Sequence, residues 1–176
     1  MTKEPTNTLT DTPFWRFSLN FYRQAGVAEA CIALQDECGV DVNLLLFLLW
    51  LAAGRRQLSA ANVKELDAAV RDWRQLTIVP IRDVRRKLKA APTIIEAGKQ
   101  EALRTKIKGI ELEAERLQQE VLYNRSQSSP LGSESDVSAA ARANLAAYES
   151  VLGARFPTTT VDCLVDTFEA IKFASP

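Results

Sequence analysis

Residues 42–54 read VNLLLFLLWLAAG, and the ten from Leu44 to Ala53 are apolar all the way round. A helix that leaves no face for water belongs in the middle of a protein or in a bilayer. Ten residues make about 15 Å of helix, half of the roughly 30 Å hydrocarbon core of a membrane. The stretch is therefore expected to be a buried central helix. Leucine dominates it and β-branched side chains are missing, which favours helix over buried strand.

Its flanks agree. Asp41 suits the N-cap, and Gly54 ends the run. Arg55 and Arg56 follow where cations favour a helix C-terminus. Upstream, Val27, Cys31, Leu34 and Cys38 keep a helical period from Val27 to about Glu37, closed by Gly39. Before that, Asp11 or Thr12 can cap a helix with Pro13 in its first turn. Phe14, Phe17 and Phe21 then form an aromatic face.

Downstream, Ser59 caps a helix with Val63, Leu66, Val70 and Trp73 on one face. Thr77, Ile78 and Val79 precede Pro80, so a break or kink is expected there. After Pro80, the pattern turns Ile81, Val84 and Leu88 inward and spreads Arg82, Arg85, Arg86 and Lys89 over the opposite face, with Pro92 closing the segment.

From about Ile94 to Asn124, Leu103, Ile107, Ile110, Ala114, Leu117 and Val121 make a heptad-like stripe. Thirty-one residues would reach about 46 Å, against a radius of gyration of about 16 Å for a compact chain of this size. The helix must cross the body, project from it, or break near Gly98 or Gly109. Its first half is basic (Lys99, Arg104, Lys106, Lys108) and its second acidic (Glu111, Glu113, Glu115, Glu120). That order opposes the helix dipole, so the charges answer to something other than helix propensity.

Residues 125–135 read as a flexible linker by composition. Two further helices are expected, at about 136–152 and 160–173. No strand and no internal repeat stands out. The fold class is all-α: six to eight helices packed around the Leu-rich helix, one of them long and amphipathic. Residues 1–11 form a polar leader, 12–124 a helical domain, 125–135 the linker, and 136–176 a helical pair docked on the same core.

The 176 residues carry 22 Lys/Arg and 22 Asp/Glu. Neutrality argues against a chain built wholly for nucleic acid or anionic lipid. It arises by cancellation: residues 81–108 hold nine cations against three anions, and residues 109–176 five against ten. There is no histidine. That excludes Ser-His-Asp and Cys-His catalysis and His-containing zinc sites. Three cysteines, an odd count, fit a reducing compartment, with Cys31 and Cys38 read as buried thiols. Glycine-rich phosphate loops are missing. No catalytic, cofactor or metal residues are expected. Glu29, Asp36, Glu37 and Asp41 read as caps and solvated edges. With no apolar leader at the N-terminus, the chain is read as cytoplasmic.

Three uses remain. The first is a non-catalytic helical interaction or adaptor protein, contacting a protein partner or a second copy through the helix at 94–124. The second is binding of RNA or a ribonucleoprotein through a basic face of Arg82, Arg85, Arg86, Lys89, Lys99, Arg104, Lys106 and Lys108. The third is a lipophilic ligand held among Phe14, Trp15, Phe17, Phe21 and Trp50.

The run FWRFSLNFYRQAGVAEACIALQDECGVDVNLLLFLLWLA, with Trp73-Arg74 and PIRDVRRKLK after it, resembles the small proteobacterial proteins filed as domain of unknown function 2390. The likeness covers about Phe14 to Tyr123. It implies a bacterial cytosolic protein and carries no activity, cofactor or catalytic residues.

Overall fold

A computed structural model describes residues 11–90 and 95–171. The fold is all-α. Its helices are α1 (Pro13–Tyr22), α2 (Val27–Cys38), α3 (Val42–Ala53), α4 (Ala60–Trp73), α5 (Val79–Ala90), α6 (Ala97–Ser128), α7 (Val137–Leu152) and α8 (Thr158–Ala170). A π-helical turn, Arg74–Ile78, joins α4 to α5.

The Leu-rich stretch is the centre. Nine of the twelve residues of α3 are buried, and α1, α6 and α7 pack around it. Phe14 meets Phe47 edge to face at 5.0 Å, and Phe47 stacks near Trp50 at 5.6 Å. Residues of α7 and α8 (Leu145, Tyr148, Leu164, Phe168) enter the same hydrophobic cluster as α3. Among the described residues, no helix is long and apolar enough to cross a membrane.

Local chemistry sets the helix ends. Thr12, Asp41, Ser59 and Asp136 cap α1, α3, α4 and α7 through their side chains, and Asn62 reciprocates Ser59 in a capping box. Pro80 does not break the rod. The π turn just before it donates from Val79 N–H to the Arg74 carbonyl, one residue wider than an α turn. A π-bulge is one of the few ways a helix passes a proline with its backbone still bonded. Pro92 and Ile94 lie outside the described residues, as does Phe173.

Three expectations are corrected. A short antiparallel pair exists: β1 (Arg56–Gln57) against β2 (Ser133–Glu134). Arg56 is a clamp rather than a dipole partner, donating to the carbonyls of Leu131 at 2.7 Å and Gly132 at 2.6 Å. The helix α6 runs unbroken through Gly109 to Ser128, so it enters the 125–135 stretch before ending. Thirty-two residues span about 48 Å.

Candidate functional site

The sequence places an apolar stripe along α6, and of that stripe α6 buries only Ala114, with Ile107 and Leu117 half-buried. Its buried residues are Glu111, Ala114, Gln118, Gln119 and Leu122. At 100° per residue they centre about a quarter of a turn away from the heptad stripe. Leu103, Ile110 and Val121 are 45, 54 and 45% exposed. The long helix thus turns a largely polar face inward and leaves Leu103, Ile110 and Val121 of the stripe exposed.

The inward face is held by charge and hydrogen bonding. Arg82 donates to Glu111 at 2.9 Å, to Glu115 at 2.7 Å and to Gln35 at 2.7 Å. Arg85 closes on Glu111 as well. Burial alone would raise the Glu111 carboxyl, but the hydrogen bonds and charges of Arg85 and Arg82 outweigh it and hold the group below its ordinary value. Glu115, one turn on, is pushed the other way. Its burial dominates, Arg82 offsets only part of it, and the charges of Glu111 and Asp41 add to the rise.

Deeper in, Asp41 ties four elements together. One carboxylate oxygen caps α3 by accepting from Asn43 N–H at 3.0 Å. The other accepts from Arg74 at 2.7 Å and from Gln118 at 2.5 Å. The Asp41 backbone N–H donates to the Tyr148 hydroxyl at 2.9 Å. Arg74 also reaches Asp67 at 3.0 Å, and Gln119 donates to Asn43 at 2.8 Å. The sequence reading saw Asp41 only as a cap. Its second role leaves no local signal, because its partners lie 33, 77 and 107 residues away.

The helix α5 corrects the sequence pattern in part: Ile81 and Leu88, expected inside, are half-buried, but they share that side with two arginines. Arg82 and Arg85 turn toward α6, while Val84, expected inside, is 48% exposed. No residue of α5 is fully buried. The glutamates of α6 draw Arg82 and Arg85 to the inner side beside Ile81 and Leu88.

The eight cations read as a basic face therefore separate. Arg82 and Arg85 are engaged with Glu111 and Glu115. Arg86 pairs with Asp36 at 3.1 Å, Lys99 with Glu96 at 3.0 Å and Arg104 with Glu101 at 2.6 Å. Lys89, Lys106 and Lys108 are exposed. Five of the eight thus face a carboxylate of the same chain.

The aromatic residues also divide. Phe14, Phe17 and Phe21 are buried in the core, and Phe17 and Phe21 both pack near Phe168. Trp50 sits between Phe47 and Tyr123. Trp15 alone of the five lines an open groove of about 310 Å³, together with Leu19, Ile32, Arg82, Glu111 and Glu115.

The sequence model of the family described as "Protein of unknown function (DUF2390)" matches residues 13–122. The chain belongs to that family. The match runs from the first residue of α1 to the last buried residue of α6, so it takes in the Arg82–Glu111 network and the whole heptad stripe. Comparison with curated proteins and with solved structures returned no match.

Proposed function

We propose that this member of the DUF2390 family is a non-catalytic helical interaction protein of the bacterial cytosol, docking an amphipathic helix along the outer face of α6. One observation carries the reading: Leu103, Ile110 and Val121 stand half exposed on a heptad period, while the neighbouring Glu111 and Gln118 are buried. A stripe of that period is the surface another helix packs against, its side chains entering the holes of the facing helix. Trp73, itself 39% exposed, borders the stripe by donating its indole N–H to the Ala114 carbonyl at 3.0 Å. Aromatic groups with one polar anchor are frequent in interface cores.

The ion pairs weigh against RNA as the ligand of the basic residues. Phosphate binding needs cations that can leave solvent counterions for phosphates, and the arginines of α5 already have carboxylates. The packing of Phe14, Phe17 and Phe21 into the core weighs against a ligand held among those rings.

The test compares the purified chain with its Leu103→Glu/Ile110→Glu double variant, by light scattering and as baits against a bacterial lysate. Association that the wild type shows and the variant lacks is the expected result. A wild type that is monomeric and retains nothing more than the variant overturns the proposal. A filter-binding assay at low salt serves the rival reading: tight RNA binding lost on charge reversal of Lys106 and Lys108 would replace this function with that one.

A further inference from the structure

We infer that the groove between α1, α2, α5 and α6 binds a small amphipathic carboxylate that carries a hydroxyl at its far end. The groove lies apart from the face on which docking is proposed, and the inference does not depend on that reading.

The groove follows one side of α6. Lys108, Glu111, Leu112, Glu115 and Gln119 line it, spaced as neighbours on one helix face. At 100° per residue they lie roughly two-fifths of a turn from Leu103, Ile110 and Val121. Trp15, Ser18, Leu19 and Tyr22 of α1 line it too, at the same spacing. Lys108 and Gln119 are about 16 Å apart along the helix axis. A volume of about 310 Å³ stands at the lower end of the range for small-molecule sites. Its walls include Ile32 and Leu112, which are 45 and 48% exposed. An apolar body laid between them would take both out of water.

The two ends differ in chemistry. Trp50 packs near both Phe14 and Tyr123, so the start of α1 lies by the end of α6. Ser18 and Gln119, each one turn in from those residues, therefore share one end of the groove. Each is 3% exposed, and neither Ser18 Oγ nor Gln119 Oε1 has a hydrogen-bond partner. A buried oxygen left unpaired is costly, and native folds keep few of them. Glu115, one turn from Gln119, spends one carboxylate oxygen on Arg82; among the described residues nothing donates to the other. All three groups can accept, so what satisfies them is a donor, and Ser18 meets it by rotating about one bond.

Toward the other end the charge is positive. Arg82, Arg85, Arg86 and Lys108 line the groove, against Glu111 and Glu115. The two glutamates match Arg82 and Arg85, and Asp36 matches Arg86. Lys108 is exposed and, among the described residues, has no carboxylate partner. One cation is left over, and it favours an anion. The donor at the far end is then a hydroxyl, because an ammonium would add to the positive charge already in excess.

The experiment is isothermal titration calorimetry of the full chain with ω-hydroxylaurate, laurate and laurylamine, each below its micelle concentration. ω-Hydroxylaurate is expected to bind best, with laurate about fivefold weaker for want of one hydrogen bond. Laurylamine is expected not to bind. Ser18→Ala removes an oxygen that has no partner, so the fold should stand, and the gap between the two carboxylates should narrow. Lys108→Glu is expected to weaken both carboxylates about fivefold, and Leu112→Glu to abolish their binding. Lys108 and Leu112 are exposed, so circular dichroism should show these variants folded.

A wild type that binds neither carboxylate overturns the inference. So does binding that Leu112→Glu leaves intact, which would place the ligand elsewhere. Laurylamine bound as tightly as the carboxylates, or laurate bound as tightly as ω-hydroxylaurate, contradicts the chemistry assigned to the two ends and overturns it as well.

Discussion

Tyr148 shows how much rests on single polar contacts in this core. Its hydroxyl accepts the backbone N–H of Asp41, the residue that starts the central helix, from a position on α7. Burial raises the phenol well above its ordinary value, with the Asp41 charge adding to it, so the group stays protonated. Tyr148→Phe removes the acceptor and leaves that buried N–H unpaired, at a cost of about 1–3 kcal/mol. Urea denaturation monitored by circular dichroism measures it; an unchanged midpoint would mean that the N–H finds another acceptor.

Glu115 and Glu111 give the protein a two-sided response to acid. The folded pKa of Glu115 is raised, so the native state holds the proton more tightly and this carboxyl costs stability at neutral pH. The cost is relieved as pH falls through the raised value. The folded pKa of Glu111 is lowered, so its contribution is complete above the ordinary carboxylate range and disappears as pH falls through its folded value. Glu115→Gln keeps an acceptor for Arg82 and removes the charge. It should hold or raise the melting temperature at neutral pH and remove part of the gain seen on mild acidification. A large loss at neutral pH would contradict this assignment.

Among the thiols, Cys31 is buried and its pKa is pushed up to about 12, first by burial and then by Cys163. A thiol reagent at neutral pH should leave Cys31 unmodified until the chain unfolds, because the thiolate is the reacting species. Mass spectrometry of the native protein after labelling checks it.

At the scale of elements, Gly132 marks where a loop is fastened to the core. It has a φ of +66°, and an added Cβ would lie 2.2 Å from the Gln57 carbonyl oxygen. Gly132→Ala must therefore part β1 from β2 or strain the backbone, and should cost about 2 kcal/mol. An unaffected melting temperature would show that the β1–β2 pair contributes nothing to stability.

The elements were legible where the chain speaks locally. The run at Leu44–Ala53, the caps at Asp41 and Ser59, a cap at Asp11 or Thr12, and the helix that follows each of them could all be read from neighbours a few residues apart. What could not be read was which face of α6 turns in, and that Arg82 and Arg85 of α5 turn in with it. Periodicity finds an apolar stripe and assigns it to the core, because burial is what apolar stripes usually do. Here Arg82, Arg85, Glu111 and Gln118 occupy the inner side, and their partners come from α2, α3 and each other. Those pairings join residues 26 to 77 positions apart, and no window along the chain contains them. The order of charge along α6 was the available sign, since it made no sense for an isolated helix.

At the scale of the molecule, the core around α3 needs nothing from the outer face of α6. Hydrophobic residues from α1, α2, α3, α4, α7 and α8 already close it, with Leu122 as the large apolar contribution of α6. The long helix is attached through salt bridges and amides along its inner side, which leaves Leu103, Ile110 and Val121 exposed.

The inversion of α6 is the claim on which the rest stands, and two adjacent residues test it. Equilibrium denaturation of dilute, monomeric Ile110→Glu and Glu111→Gln reads it directly. Ile110 faces water, so a glutamate there should change stability by no more than about 0.5 kcal/mol. Glu111 neutralises two arginines from a buried position, and its loss should cost about 3 kcal/mol. The opposite order, a damaging Ile110→Glu and a harmless Glu111→Gln, would mean that α6 buries its apolar stripe after all.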